Sequence, residues 1–213
     1  MSELIKRILT SIILLFFFAL SMYSISILTF FLIFCFYQMF YETFYILKKN
    51  IKINIKLFIL SIIVLIYFFF LINFIWLSLS EENNQNKLIL FFVITITISS
   101  DIGGYVFGKL FKGKKLTKLS PKKTYSGMLG SYILAIIFSY IIFVQYISLT
   151  DIIIYSFIIS SSSQIGDIFF SYLKRNAKIK DSGNILPGHG GLLDRFDGIV
   201  LALPIGVLLF KYL

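Results

Sequence analysis

The chain has 213 residues, 58% of them hydrophobic and 14% charged, against roughly half apolar and a quarter charged in soluble domains. That balance excludes a soluble globular domain and predicts a polytopic membrane protein. The formal charge of +10 does not imply nucleic acid, because the lysines and arginines gather in loops between apolar runs, where positive charge sets membrane orientation; membrane lipids with anionic headgroups fit that pattern.

In chain order, residues 8–47 form some forty positions with Glu42 the only charge, twice the roughly twenty residues that cross a bilayer. Two helices joined near residues 21–26 are expected. The first is an uncleaved span: Lys6-Arg7 imitate the start of a signal peptide, but no small-residue cleavage site follows. Cys35 reads as a small buried hydrophobe. Glu42 lies near Lys48-Lys49, and interfacial pairing with them is the simpler reading, contact with a functional site the other. A basic loop at 48–56 precedes a third span at 57–79, with Trp76 at a membrane interface. A polar loop at 80–87 leads to a fourth span at 88–107, and residues 109–123 hold seven lysines. A fifth span is expected at 128–147, a sixth at 151–173 opened by Asp151 as an N-cap, and a seventh at 191–213.

The fold predicted is an all-α transmembrane helix bundle of about seven spans, within a range of six to nine, with a cytoplasmic N-terminus. That orientation puts 18 of the 20 Lys and Arg on the cytoplasmic side, leaving Lys87 and Lys211 outside, and the reverse would invert the ratio. No repeat or linker interrupts the chain, so residues 1–213 are expected to form a single integral membrane domain, with 97–198 carrying the chemistry.

Charge, glycine and the one histidine concentrate between Gln164 and Gly198. Ser160, Ser163, Gln164, Asp167, Ser171 and Lys174 share one helical face. A carboxylate inside a span is costly and marks a functional site, so Asp167 is the residue to explain, and Asp101 of the fourth span is a second. Beyond Arg175, Asp181-Ser182-Gly183 and Pro187-Gly188-His189-Gly190-Gly191 force a tight turn that offers N–H groups to phosphate oxygens. Asp194 and Asp197 then project to one side of a helix start. Asp167, Asp194 and Asp197 are expected to converge on a cation, and carboxylates without cysteine or a second histidine suit Mg²⁺. Gly103-x4-Gly108-Lys109 imitates a phosphate loop, but Leu110 stands where a hydroxyl should be and no strand precedes it; Gly104 and Gly108 read as a close helix contact.

The run from Ser171 through Lys174-Arg175, Lys180-Asp181-Ser182-Gly183 and Pro187-Gly188-His189-Gly190-Gly191 to Asp194-Arg195 and Asp197 closely resembles the signature of phosphatidate cytidylyltransferases, the bacterial CDP-diacylglycerol synthases. Asp101 resembles the aspartate that opens the family's Asp-x-Gly-[Gly/Ala]-Tyr stretch. Ser120-Pro121-Lys122-Lys123-Thr124-x-x-Gly127 resembles its Ser-Pro-Lys-Lys-Thr-x-x-Gly element. The chain departs from the pattern at Gly198, where the family usually has serine.

The resemblance implies transfer of a cytidylyl group from CTP to phosphatidate, with the lipid phosphate itself as nucleophile. It implies a magnesium site drawn from Asp167, Asp194, Asp197 and Asp101, with a second, monovalent ion such as K⁺ as an option. Lys174, His189 and Arg195 join Asp167 and Asp194 in the catalytic set; His189 would bind phosphate or move protons, and Arg195 would clamp phosphate or neutralise its neighbouring aspartates. Substrate would be bound by Ser120, Lys122, Lys123, Thr124, Ser171, Arg175, Asp181, Gly188, Gly190 and Gly191. The site is expected at the cytoplasmic side of a bacterial-type inner membrane, with a homodimer as one assembly open to it. A CTP-dependent polyprenol-type lipid kinase is the close alternative. A small ion transporter is the remote one, since it would need polar residues through the full depth of the bilayer.

Overall fold

The computed structural model describes residues 16, 20, 24–80, 84–117, 120, 123–188 and 190–212. The first expected span falls largely outside these residues, as do Lys122 and His189. The described chain contains six long helices: α1 Ile25–Asn50, α2 Ile55–Ser80, α3 Asn84–Phe111, α4 Tyr125–Phe143, α5 Leu149–Asn176 and α6 Leu193–Tyr212. Among the described residues β structure is limited to two isolated bridges, Lys115 with Thr124 and Leu186 with Gly190.

The five helices α1 to α5 are each long and apolar enough to cross a membrane, so the chain is an integral membrane protein. α6 differs because Asp194, Arg195 and Asp197 lie at its start and Lys211 at its end. Its uninterrupted apolar part, residues 198–210, has 13 residues, or about 20 Å of helix against the ~30 Å of a bilayer core. α3 starts earlier than composition suggests: the polar run Asn84-Gln85-Asn86-Lys87 is its first turn, since nothing in it breaks a helix.

Side-chain caps fix several ends. Thr124 accepts the Gly127 N–H at 3.1 Å and caps α4. At α5 the cap is Ser148, not Asp151: the Ser148 hydroxyl accepts the Asp151 N–H at 3.2 Å and donates to the Asp151 carboxylate at 2.7 Å, a reciprocal box that holds Asp151 within the first turn. The other end of α5 closes with Ile179 N–H on Lys174 O and Lys178 N–H on Arg175 O, both at 3.0 Å. This is the Schellman arrangement, and it places Lys178 in the left-handed region at φ 55°.

The chain divides into two compact units, one from Met1–Asn83 and Leu173–Phe196, the other from Asn84–Tyr172 and Asp197–Leu213. In the first, Leu28, Leu32, Cys35, Met39, Glu42 and Ile46 are all buried on α1. They follow one another at alternating steps of four and three residues, the spacing of a helix packing seam. The opposite face, with Phe30, Phe34, Tyr37 and Tyr41, is exposed. The Trp76 indole of α2 donates to Thr29 of α1 at 3.0 Å.

The second unit is built on close helix contact without large side chains. A Cβ at Gly103 would collide with the Gly130 carbonyl, and one at Gly104 would meet Ser131 Oγ at 2.9 Å, so the glycines of α3 and α4 let the two backbones touch, as small residues do in membranes. Hydroxyls join α3, α4 and α5: Ser131 of α4 donates to Ser100 O of α3 at 2.7 Å, Ser100 pairs with Ser160 of α5 at 2.8 Å, and Ser139 of α4 with Ser156 of α5 at 2.7 Å. α5 therefore turns its polar face inward, with Ser156, Ser160 and Ser163 buried and Ile154, Phe157 and Ile165 exposed. This inversion of the soluble-protein pattern suits a lipid surround.

Candidate active site

In the second unit a cavity of about 230 Å³ is lined by Ser100, Asp101, Ser120, Lys123, Thr124, Gln164 and Asp167, among others. Three stretches far apart in sequence meet there: the aspartate of α3, the Ser-Pro-Lys-Lys-Thr loop, and the polar face of α5. Lys123 Nζ bonds Asp167 Oδ2 at 2.6 Å, and their side chains are 27% and 19% exposed, so the pair is accessible from the cavity. The loop holds itself in place. Leu116 N–H bonds Lys123 O at 2.8 Å, Tyr125 N–H bonds Lys114 O at 3.0 Å, and Lys123 N–H bonds Ser120 O at 3.0 Å.

Asp197 also belongs to this unit, at the start of its part of α6. A Cβ at Gly166 would press on the Asp197 carbonyl, and one at Gly198 would lie against Ser163 Oγ and 3.0 Å from Asp167 Oδ1. Helices α5 and α6 thus approach through two glycines, which gives Gly198 a physical reason: a serine there would crowd the Asp167 carboxylate.

The first unit holds the glycine-rich turn, organised by two carboxylates. Asp194 Oδ1 accepts Lys174 Nζ at 2.6 Å, and Asp194 Oδ2 accepts the N–H groups of Ser182 at 2.8 Å and Gly191 at 3.0 Å. Lys174 and Asp194 are each 9% exposed at the side chain. Burial pushes the Asp194 carboxyl up, but the Lys174 hydrogen bond, the Gly191 and Ser182 amides and the Lys174 charge outweigh it, leaving it below the ordinary carboxylate range. The turn itself closes by mutual bonds between Leu186 and Gly190 at 3.0 and 3.1 Å. Gly188 at φ 77° and Gly190 at φ 85° occupy the region that favours glycine.

The second carboxylate of this unit is Glu42. It accepts Gln38 Nε2 at 2.6 Å, Ser182 Oγ at 2.6 Å, and the Leu192 and Leu193 N–H groups at 2.9 Å each. It therefore does not pair with Lys48-Lys49, both of which are exposed; it binds the N-terminus of α6, where free amides and the helix dipole attract an anion. In the sequence, pairing with the neighbouring lysines is the simpler reading of Glu42 and this contact the other. The signal that points to it is the α1 seam, in which Glu42 takes a buried position at the spacing of its apolar neighbours.

Of the remaining expected residues, Ser171 is half-buried, while Arg175, Asp181 and Arg195 are exposed. Asp101 is exposed to the cavity it lines. Asp167 and Asp194 belong to different units, each with its own lysine. Among the described residues no group of three or more histidine, cysteine, aspartate or glutamate side chains is gathered to cage a metal. The donors around the cavity are nevertheless hard oxygens from Asp101, Asp167, Ser100 and Gln164. Few protein carboxylates, with water and phosphate completing the shell, are what Mg²⁺ ordinarily takes, so the residues present fit that ion.

A sequence profile described as "Cytidylyltransferase family" matches residues 4–213. The chain is 44% identical over 144 residues to the phosphatidate cytidylyltransferase of Rickettsia prowazekii, covering 62% of this chain and 60% of that protein. It is 38% identical over 134 residues to that of Staphylococcus saprophyticus, covering 61% and 52%. It is 38% identical over 121 residues to that of Helicobacter pylori, covering 55% and 46%. The chain thus spans between 46% and 60% of the length of these relatives.

Proposed function

The chain belongs to the cytidylyltransferase family, and from that premise we propose that it transfers the cytidylyl group of CTP to phosphatidate, releasing pyrophosphate. A phosphatidate oxygen attacks the α-phosphorus of CTP; the new P–O bond makes CDP-diacylglycerol, and the bond from the α-phosphorus to the bridging oxygen of pyrophosphate breaks. No covalent enzyme intermediate is required. The protein has to bring two anions together and stabilise charge on the transferred and leaving groups.

The observation that carries this reading is that Asp101, then Ser120, Lys123 and Thr124, and then Asp167 all line one cavity. Its volume of about 230 Å³ lies below the ~300 Å³ where small-molecule pockets begin, which suits phosphate groups more than a whole nucleotide. Lys123 supplies a cation that exchanges Asp167 for phosphate oxygen, and Ser120 contributes a hydroxyl donor. Thr124 caps α4 with its oxygen and pairs with the Ser126 hydroxyl at 3.0 Å, a bond that its hydroxyl would exchange for one to substrate. Asp167, with Asp101 lining the same cavity, is the carboxylate we assign to Mg²⁺, which when bound would offset phosphate charge and polarise the phosphorus. Asp194 and Asp197 complete the expected metal set, and Lys174 and Arg195 the expected cations. His189, Lys122, Ser171, Arg175, Asp181 and the turn glycines 188, 190 and 191 retain the catalytic and binding roles the resemblance gives them.

The proposed topology has about seven spans, a cytoplasmic N-terminus and the site facing the cytoplasm of a bacterial-type inner membrane. It is supported by the crowding of basic residues at one set of helix ends. Incubating the purified protein with phosphatidate, Mg²⁺ and CTP labelled at either the α- or the γ-phosphorus tests the reaction. Label from the α position should enter the lipid extract. Entry of γ-label instead would mark a lipid kinase, and entry of neither would end the proposal.

A further inference from the structure

A glutamate one-fifth of the way along the chain is held by four hydrogen bonds. Glu42 is 1% exposed and its described partners are all neutral donors: an amide, a hydroxyl and two backbone N–H groups. Holding a buried carboxylate with neutral donors is costly unless every lone pair is met. Here four donors meet it, and three of them come from the turn and the helix start that present Asp194.

The bonding is interleaved. Ser182 gives its hydroxyl to Glu42 and its N–H to Asp194. Gly191 gives its N–H to Asp194, and the next two residues give theirs to Glu42. The turn is shaped to this carboxylate as well: a Cβ at Gly191 would run into Ser182 Oγ and Glu42 Oε2, and one at Gly183 would meet Glu42 Oε1 at 2.9 Å. We infer that Glu42 is a positioning residue for the transfer reaction, an internal anion that pins the glycine-rich turn and the start of α6 so that Asp194 and Lys174 are held in register. The inference rests on the functional reading above and adds a residue outside the motifs that led to it.

Glu42→Gln is the informative change, because it keeps size and shape while setting an NH₂ against the backbone N–H of either Leu192 or Leu193, which can only donate. In the purified protein it should lower kcat about 100-fold, the scale on which small misplacements of a catalytic group act, with KM for CTP moving less than about threefold. Hydrogen exchange should quicken at the amides of Ser182, Leu192 and Leu193. Met39→Ala, which thins the same α1 seam without touching the turn, should lower the thermal midpoint yet leave kcat within about twofold. A Glu42→Gln protein that keeps kcat within about threefold, or whose turn amides exchange as in the parent, overturns the inference. Should Glu42→Gln fail to fold, Ser182→Ala takes its place, with about a tenfold loss of kcat and the same exchange signature expected; parent-like values for it overturn the inference equally. The two readings fail separately: if the parent protein transfers no cytidylyl group, the reaction assignment falls, while exchange at the turn still decides the role of Glu42.

Discussion

Two lysine–aspartate pairs, one in each unit, have the same 2.6 Å contact and opposite settings. Lys123–Asp167 is about a quarter exposed, borders a cavity, and rests on a loop whose own backbone bonds do not involve the carboxylate. Lys174–Asp194 is 9% exposed on both sides and its carboxylate is further held by two amides. The open pair can trade partners with a ligand at little cost, because exposed ion pairs contribute little to stability. The closed pair also carries structural weight beside its proposed place at the site, since breaking a buried pair leaves its partner in a poor environment.

The largest expected contrast follows from that. Asp194→Asn should destabilise the detergent-solubilised protein by about 3 kcal/mol, whereas Asp167→Asn should cost under about 1 kcal/mol while abolishing cytidylyl transfer. Equal midpoints for the two variants by thermal unfolding would erase the distinction between the pairs, and normal turnover by the Asp167 variant would remove it from the site.

A second, smaller effect sharpens the same contrast through pH. Because the Asp194 carboxyl titrates below its ordinary value in the folded chain, the unfolded chain takes up the proton first, near pH ~3.9. Its contribution is therefore fully present above that value and is lost as pH falls through the lower, folded one. The stability gap between the parent and Asp194→Asn should be constant from about pH 7 to 5 and shrink below about pH 4. A gap that stays the same down to pH ~3 would mean that the carboxylate is not what the amides and Lys174 hold.

Much of this arrangement was legible in the sequence, and what was not has identifiable causes. The inward polar face of α5 follows from the spacing of Ser160, Ser163, Gln164 and Asp167, because helical period alone decides which residues share a side. The close contact of α3 with α4 follows from Gly104 and Gly108. Pair assignments were not legible. Lys174 reads as a counter-charge for substrate, and nothing in its spacing says that it also pairs with Asp194. Thr124 reads as a substrate hydroxyl with no sign that its oxygen also caps α4, and Ser148 takes the capping role that composition offers to Asp151. Glu42 is the largest gap: its partners Ser182, Leu192 and Leu193 lie 140, 150 and 151 residues downstream, beyond any local pattern.

The smallest prediction concerns the exit from α5, where the closed pair begins. Lys178 holds a left-handed backbone that costs a non-glycine residue roughly 1 kcal/mol. Lys178→Gly should recover about 0.5–1 kcal/mol of that, partly offset by the greater freedom of glycine when unfolded. A lower thermal midpoint would show that the lysine side chain does something at that corner beyond being exposed.

The distance in sequence between Glu42 and its donors also has a temporal side. A ribosome adding roughly 5–20 residues per second delivers Ser182, 140 positions later, roughly 7–30 s after the glutamate has been made. Throughout that interval α1 carries a carboxylate that has only Gln38 of its four donors. The earliest described helix of the chain thus enters the bilayer unfinished, and the glycine-rich turn, made later, completes it.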